Sequence, residues 1–381
     1  MILKPFRPLA YAARVPLAIF LVAMLAGCFG GSNKPQPAEL QPLAALVSAR
    51  QSWSSRIGQV NFPLDVNVSG NSVAVASGDG TVALLDAQTG RDLWRLDLKT
   101  PIAAGVGGDG KVLAVVTKAN EVVAMQDGRE LWRQKLKAQA FTAPFVAGAR
   151  VFVLAADRSV NAFDGQTGRK LWTQQRPSEP LVLRQSGVML AVGDTLVVGL
   201  AGRLAGLNPS NGSIQWEAPI ASPRGINDVE RLVDLVGRVS RVGNNVCVRA
   251  FQASVGCVDA ARGSLLWSKP AQGVQGISGD DRLLFGTEAD GTVVAWRRSD
   301  GERAWSSDKL RYRSLSAPLV AGQSVVIGDA TGFVHLLSRE DGSLLNRLST
   351  DGSAIAAAPV LAGNTLVALT HNGGVYGFKP E

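Results

Sequence analysis

One nine-residue turn recurs along this chain, and its spacing limits what the chain can fold into. The clearest copies run from Asp86 to Trp94 and from Asp164 to Trp172, with the pattern Asp-x-x-Thr-Gly-x-x-x-Trp. Relatives of this turn end, at intervals of 38 to 51 residues, on Trp132, Trp216, Trp267, Trp305 and, in the seventh copy, Asn346. An eighth anchor, Trp53, precedes the first copy. A period in this range is typical of propellers and solenoid arrays.

Short strands separated by polar turns precede each anchor. Residues 73–86 and 151–164 each show an apolar strand, a polar turn and a second alternating strand, a pattern typical of a hairpin. A shorter apolar run, as in residues 143–148, precedes several of these hairpins, and the anchor tryptophan opens one more strand. Four strands per repeat predict the blade of a propeller.

The number of blades follows from the anchors. The seven copies predict seven complete blades, and the stretch from about Ala354 to Phe378 has room for only three further strands. Trp53 opens an unpaired strand near the N-terminal end of the folded part. We therefore predict an all-β, eight-bladed propeller over residues 49–381, with the last blade closed by the N- and C-terminal strands. Seven blades are the alternative if residues 50–57 lie outside the ring.

The anchor turn has a mechanical explanation. Its acidic residue caps the turn, and its glycine supplies the positive φ that ends it. Its tryptophan offers a large apolar body to the neighbouring blade and an N–H that can reach a backbone acceptor. We therefore predict structural roles for all seven anchor tryptophans: Trp53, Trp94, Trp132, Trp172, Trp216, Trp267 and Trp305.

The first 27 residues are typical of a signal peptide. Three cations precede an apolar core at residues 15–24, which is followed by Leu25-Ala26-Gly27-Cys28. Small residues directly before a cysteine resemble the lipobox of bacterial lipoproteins, in which that cysteine is acylated. Residues 28–48 are then expected to be a flexible tether, and Phe29, in place of aspartate, favours the outer membrane. The alternative is a simple secretory signal with a chance cysteine.

Charge and histidine content exclude several classes of function. Removal of Lys4, Arg7 and Arg14 lowers the formal charge from +8 to +5, and the absence of a Lys/Arg run predicts no nucleic-acid partner. Only two histidines occur, His335 and His371, which excludes a multi-histidine metal site. No nucleophile elbow or phosphate-binding loop appears. We predict no catalytic residue, metal or cofactor, and we expect His335 to be partly exposed.

Two cysteines remain after the signal. Aligned with residues 151–164, Cys247 takes the place of Phe152 and Cys257 that of Ala162, two positions that should face each other across antiparallel strands. An oxidising periplasm permits a disulfide between them. The alignment leaves open whether the two cysteines are bonded.

The anchor turns at Asp86–Trp94 and Asp164–Trp172 resemble the repeats of pyrroloquinoline-quinone-type propellers over nearly all of residues 50–380. Together with Cys28 in its lipobox and the eight anchors, the chain resembles the BamB family, the lipoprotein propellers of the machine that inserts β-barrels into the outer membrane. The resemblance implies a non-catalytic scaffold, lipid-anchored on the periplasmic face, that docks to the POTRA domains of BamA. Extended strands of outer-membrane proteins, bound at blade edges, are a further expectation.

Two segments match the elements that the BamB family uses for docking. Residues 181–184 match its Leu-x-Leu-Arg element, and residues 231–236 match Arg-Leu-x-Asp-x-Asp, except that Val236 takes the last acidic position. The longest interval between anchors also contains a charged insertion at residues 224–231. The alternatives are a neutral loop and leucines buried in a first strand. The resemblance implies partner binding by Leu181, Leu183, Arg184, Arg231 and Asp234.

Two other functions remain open at this point. Quinone-dependent dehydrogenases resemble the chain in their repeats, but they are longer and often place two adjacent cysteines beside the cofactor. Cys247 and Cys257 are ten residues apart. The second alternative is a periplasmic docking propeller that serves another complex.

Overall fold

The computed structural model describes residues 1–2, 35–175, 181–223, 226–228 and 231–380. The strands of these residues form eight four-stranded antiparallel sheets, which are the blades of a propeller. Cys28, the lipobox and part of the 224–231 insertion lie outside the described residues. Among the residues that are described, no helix has the length and apolar character needed to cross a membrane.

Each of the first seven blades takes four consecutive strands. Blades 1 to 3 consist of β2 (Asn67–Ser69), β3 (Ser72–Ala76), β4 (Thr81–Asp86) and β5 (Asp92–Asp97); β6 (Ile102–Gly108), β7 (Leu113–Thr117), β8 (Glu121–Gln126) and β9 (Arg129–Lys135); and β10 (Phe145–Ala147), β11 (Arg150–Leu154), β12 (Val160–Asp164) and β13 (Lys170–Gln174). Blades 4 and 5 consist of β14 (Met189–Val192), β15 (Thr195–Leu200), β16 (Arg203–Leu207) and β17 (Ile214–Pro219), and of β18 (Leu235–Val242), β19 (Asn245–Ala250), β20 (Ser254–Asp259) and β21 (Ser264–Pro270). Blades 6 and 7 consist of β22 (Ser278–Gly279), β23 (Leu283–Thr287), β24 (Val293–Arg297) and β25 (Arg303–Ser307), and of β26 (Leu319–Ala321), β27 (Ser324–Gly328), β28 (Phe333–Ser338) and β29 (Leu344–Ser349).

Blade 8 is assembled from both ends of the chain. It joins β30 (Val360–Ala362), β31 (Thr365–Leu369) and β32 (Gly374–Pro380) to β1 (Ala49–Arg56). β1 runs antiparallel to β32, with Trp53 opposite Gly377. This pairing confirms the eight-bladed prediction and excludes the alternative in which residues 50–57 lie outside the ring.

The second strand of each blade lies in the core. All five residues of β7 are buried, as are those of β31, because each blade is packed between two neighbours. The outer strands alternate in exposure, as β5 does. His335 on β28 is also fully buried, so the expectation of partial exposure is wrong. Its strand is covered on both faces, and an alternating pattern in the sequence cannot indicate that.

The anchor tryptophans connect neighbouring blades. Each lies on the fourth strand of its blade and covers the turn that links the third and fourth strands of the next blade. Five of them donate their indole N–H to a carbonyl of that turn at 2.8 to 3.0 Å: Trp53 to Ala87, Trp132 to Gly165, Trp172 to Pro209, Trp267 to Arg298 and Trp305 to Arg339. Trp94 and Trp216 lie against the turn glycines Gly128 and Gly263.

The closure of blade 8 by strands from both ends of the chain explains why the seventh anchor is asparagine. A tryptophan in blade 7 would need a turn between the third and fourth strands of blade 8. Those strands, β32 and β1, come from opposite ends of the chain, so no turn connects them. Asn346 instead donates its side-chain N–H to the carbonyl of Val47, just before β1, at 2.7 Å.

The residues before β1 are held against blade 7. The chain divides into two units, and the second, Pro37–Glu381, contains all the strands of the described residues. The Ala38 N–H donates to the Arg311 carbonyl at 2.9 Å, and Arg313 donates back to the Ala38 carbonyl at 2.9 Å. The Leu46 N–H donates to the Leu345 carbonyl at 2.8 Å. Residues 37–48, here called the strap, thus belong to the same unit as the blades.

Cys247 and Cys257 face each other across β19 and β20, as the alignment with residues 151–164 predicts. They form a disulfide in the structure, with their sulfurs 1.93 Å apart. Both side chains are fully buried inside blade 5, packed with Trp267 and Trp296.

Candidate partner-binding site

The two segments expected to bind a partner lie beside each other. Residues 181–184 belong to the connection that precedes β14, and Asp234 directly precedes β18. Leu181 is 41% exposed, so the alternative in which these leucines are core positions of a first strand is wrong. Leu183 is partly buried.

Arg158 joins the two segments. It lies in the turn between β11 and β12, with a φ of 60°, and its Nη1 donates to Asp234 Oδ1 at 2.5 Å. Its Nη2 donates to the Leu181 carbonyl at 2.9 Å, while the Leu183 N–H donates to Asp234 Oδ2 at 3.0 Å. Arg158 therefore binds both Asp234 and the 181–184 loop. Asp234 binds the same loop directly, through the Leu183 N–H. Charge-assisted bonds of this kind are the stronger ones, so the loop is well held.

The position of Asp234 changes the role that it can play. Its side chain is 15% exposed and that of Arg158 is 10% exposed, and both carboxylate oxygens accept hydrogen bonds from within the protein. Asp234 therefore shapes the 181–184 loop. The sequence patterns do not predict a role for Arg158. It is separated from Asp234 by 76 residues, and no local pattern marks it.

The loop rests on an apolar floor. A cavity of about 50 Å³ beneath it is lined by side chains that include Phe141, Leu154, Val182 and Leu235. Arg184 is exposed, and its guanidinium carbon lies 5.9 Å from the centre of the Phe141 ring, within the range of a cation–π contact. The inner side of the loop is thus apolar, while the side chains of Leu181 and Arg184 are exposed.

The second segment presents fewer groups than its motif suggests. Arg231 is exposed, and its N–H donates to the Asn227 carbonyl at 3.2 Å. Val236, at the last acidic position of the motif, lies in β18 and is 1% exposed. It is a core residue and cannot contact a partner. Ile226 in the insertion is fully exposed and adds an apolar group to this side of the propeller.

The aspartates of the Asp-Gly turns stabilise those turns through hydrogen bonds. Asp79 Oδ1 accepts hydrogen bonds from the Ser77 hydroxyl and the Thr81 N–H, and Asp290 binds the Thr292 N–H in the same way. These bonds lower the pKa of Asp79, with the Ser77 hydroxyl as the main cause. Within the described ranges, no group of three or more His, Cys, Asp or Glu side chains could hold a metal ion.

Eight antiparallel blades with tryptophan-anchored turns define a propeller of the pyrroloquinoline-quinone type. The family described as "Outer membrane protein assembly factor BamB" matches residues 78–307. A relative of the same description from Burkholderia pseudomallei is 38% identical over 97% of this chain and 98% of its own length. The chain belongs to the BamB family.

Two solved structures share the fold. The crystal structure of BamB from Moraxella catarrhalis has a TM-score of 0.80 at 23% identity and covers 87% of this chain and 99% of its own. A quinohemoprotein alcohol dehydrogenase from Pseudomonas putida has a TM-score of 0.70 at 13% identity, over 88% of this chain and 77% of its own. At these identities both comparisons concern the fold alone.

Proposed function

We propose that this protein is a non-catalytic lipoprotein scaffold of the outer-membrane β-barrel assembly machinery, and that it docks to the POTRA domains of BamA. Membership of the BamB family carries the first part of the proposal. The second part is supported by the 181–184 loop, which Arg158 and Asp234 hold in one shape with Leu181 and Arg184 exposed.

Docking by this loop needs little reorganisation. Leu181 would be buried by the partner, with Leu183 beneath it, and Arg184 and Arg231 would make charge-assisted hydrogen bonds. Asp234 would act through the shape of the loop. Because the loop is already fixed, binding does not have to order it, which favours affinity.

Anchoring would come from Cys28. Acylation there, with two or more chains, gives a stable anchor on the periplasmic face of the outer membrane. Because the strap begins at Pro37, the free tether would be residues 28–36 and not 28–48. Such a tether spans at most roughly 30 Å. The propeller would thus remain close to the membrane beside which the barrels are assembled.

The proposal is tested by pull-down of the tagged, acylated protein from its native membrane in mild detergent. We expect recovery of a POTRA-bearing barrel protein, reduced at least about tenfold by Arg184→Glu, which is the loss of about 1.4 kcal/mol of binding. Arg158→Ala should reduce recovery as well, because the loop loses its cation. Arg262→Glu is the matched control, since Arg262 is 82% exposed in blade 5.

The outcomes separate function from site. If both loop variants recover the barrel protein at the wild-type level, the 181–184 loop is not the docking site, but the scaffold function still stands. A purified propeller without such a partner would contradict the scaffold and favour a docking propeller of another complex. Oxidation of alcohols with added quinone cofactor would favour a dehydrogenase. The cysteines do not support that reading, because they are bonded inside blade 5 and do not line the described cavities.

A further inference from the structure

The axis of the propeller contains a polar cavity. Ser186, just before blade 4, donates its hydroxyl to Asp65 Oδ2, just before blade 1, at 2.6 Å. Arg238 of blade 5 donates to the Pro359 carbonyl, beside blade 8, at 2.9 Å. Each bond joins blades that are three positions apart in the ring of eight, so these residues meet near its centre.

Asp65 and Arg238 line two adjoining cavities of about 380 Å³ and 210 Å³. The larger one lies within the size range of small-molecule sites. It is also lined by Arg184, Gln185 and His371. Gln185 and His371 are held by backbone carbonyls, those of Val274 at 2.7 Å and Val60 at 2.6 Å, so the walls are fixed.

The two opposite charges do not neutralise each other directly. Burial raises the pKa of Asp65, and the Ser186 hydrogen bond and the charge of Arg238 offset only part of this effect. Burial lowers the pKa of Arg238, and Asp65 offsets part of that. No hydrogen bond joins Asp65 to Arg238, and both residues are partly exposed in the cavities that they line. Each charge can therefore be reached by a ligand group of opposite charge, which would pair with it more strongly in this partly desolvated site than in water.

We propose that this central cavity binds a small zwitterion of the amino-acid or dipeptide type, with its ammonium on Asp65 and its carboxylate on Arg238. An ammonium would donate to Asp65 Oδ1, beside the bond that Ser186 makes to Oδ2. A carboxylate would accept from the guanidinium in the paired geometry that arginine favours. A ligand with only one of these charges would leave the other side chain unpaired. The proposal does not depend on the docking of BamA.

The test is calorimetric titration of the full, detergent-solubilised protein with alanine and with L-alanyl-L-alanine. Each ligand is added to about 10 mM, which covers dissociation constants up to the millimolar range. We expect saturable binding of at least one of them. Acetylation of the amino group or amidation of the carboxyl group of that ligand should weaken binding at least about tenfold, since each removes a charged pair.

Two variants assign the charges. Asp65→Asn keeps an acceptor for Ser186 and should abolish the preference for the free over the acetylated ligand. Arg238→Gln should abolish the preference for the free over the amidated ligand, and Arg262→Gln should change neither. Absence of saturable binding by wild type overturns the proposal. So does equal binding of the blocked ligands by wild type, a result that does not depend on whether the variants fold.

Discussion

Gly168 shows, at the scale of one residue, why the anchor turn carries glycine. Its φ is +70°, and a Cβ built there would lie 2.6 Å from the indole of Trp132. Gly168→Ala should lower the free energy of unfolding through backbone strain, about 1–2 kcal/mol, and through overpacking, about 1–3 kcal/mol. Urea unfolding measures the sum.

Gly193 is the matched control. Its φ is +55°, but nothing lies within 4 Å of a Cβ built there, so Gly193→Ala should show the strain alone. The difference between the two variants then measures the contact between the tryptophan and the turn. Equal losses would contradict a packing role for this glycine.

His335 makes stability depend on pH through one buried ring. It shares Asp329 with Arg313: His335 Nε2 lies 3.0 Å and Arg313 Nε 2.7 Å from Asp329 Oδ2. Burial lowers the pKa of His335, and Asp329 offsets only part of the effect. Burial alone would raise the pKa of Asp329, but hydrogen bonds from His335, the Phe333 N–H and Arg313 hold it below its usual range.

The sign of the pH effect follows from these directions. Below about pH 6.5 the unfolded chain binds a proton at His335 that the folded chain does not. The free energy of unfolding therefore decreases as the pH is lowered, by up to about 1.4 kcal/mol per pH unit. The stabilisation from Asp329 is present above about pH 4 and is lost only below it. His335→Gln should therefore flatten the pH dependence of the unfolding free energy in the window directly below pH 6.5. A variant with the wild-type slope in that window would contradict this account.

At the scale of the element, exchanging the anchor residues of blades 6 and 7 tests why the seventh anchor is asparagine and the others are tryptophan. Trp305 covers the turn of blade 7 and donates to the Arg339 carbonyl, so Trp305→Asn should cost about 3–5 kcal/mol of unfolding free energy. Asn346→Trp should bring no gain, because blade 8 has no turn for it to cover. It should cost about 1 kcal/mol through loss of the bond to Val47. Stabilisation by Asn346→Trp in urea unfolding would show that an acceptor surface exists there.

The elements that the sequence predicts well are those whose determinants are local. Apolar runs, turn residues and the spacing of tryptophans lie within one repeat, and they predict the hairpins, the blade count and the facing of Cys247 and Cys257. The strap, by contrast, has the Gly/Pro-rich neighbourhood of a tether, and its contacts with Arg311 and Arg313 join residues more than 270 positions apart. The bond between Arg158 and Asp234 is equally non-local. The leucines of the 181–184 loop alternate as in a strand, yet the loop is held by side chains from two other segments.

For the molecule as a whole, β1 closes the ring. Its pairing with β32 covers a strand edge, and Trp53 covers the first anchor turn at Gly90. Three shortened forms separate these contributions. A form beginning at residue 37 keeps strap and closure, one beginning at residue 49 loses the strap, and one beginning at residue 58 loses β1 as well.

We expect the first two forms to be monomeric, with a lower unfolding midpoint for the second because the bonds of Ala38 and Leu46 are gone. The third should associate, because β32 then presents an unpaired edge on which another chain can add a strand. Light scattering after size-exclusion chromatography distinguishes these states. A monomeric third form with the midpoint of the second would mean that seven blades and three strands already make a stable ring. Closure by β1 would then contribute neither stability nor protection of the edge.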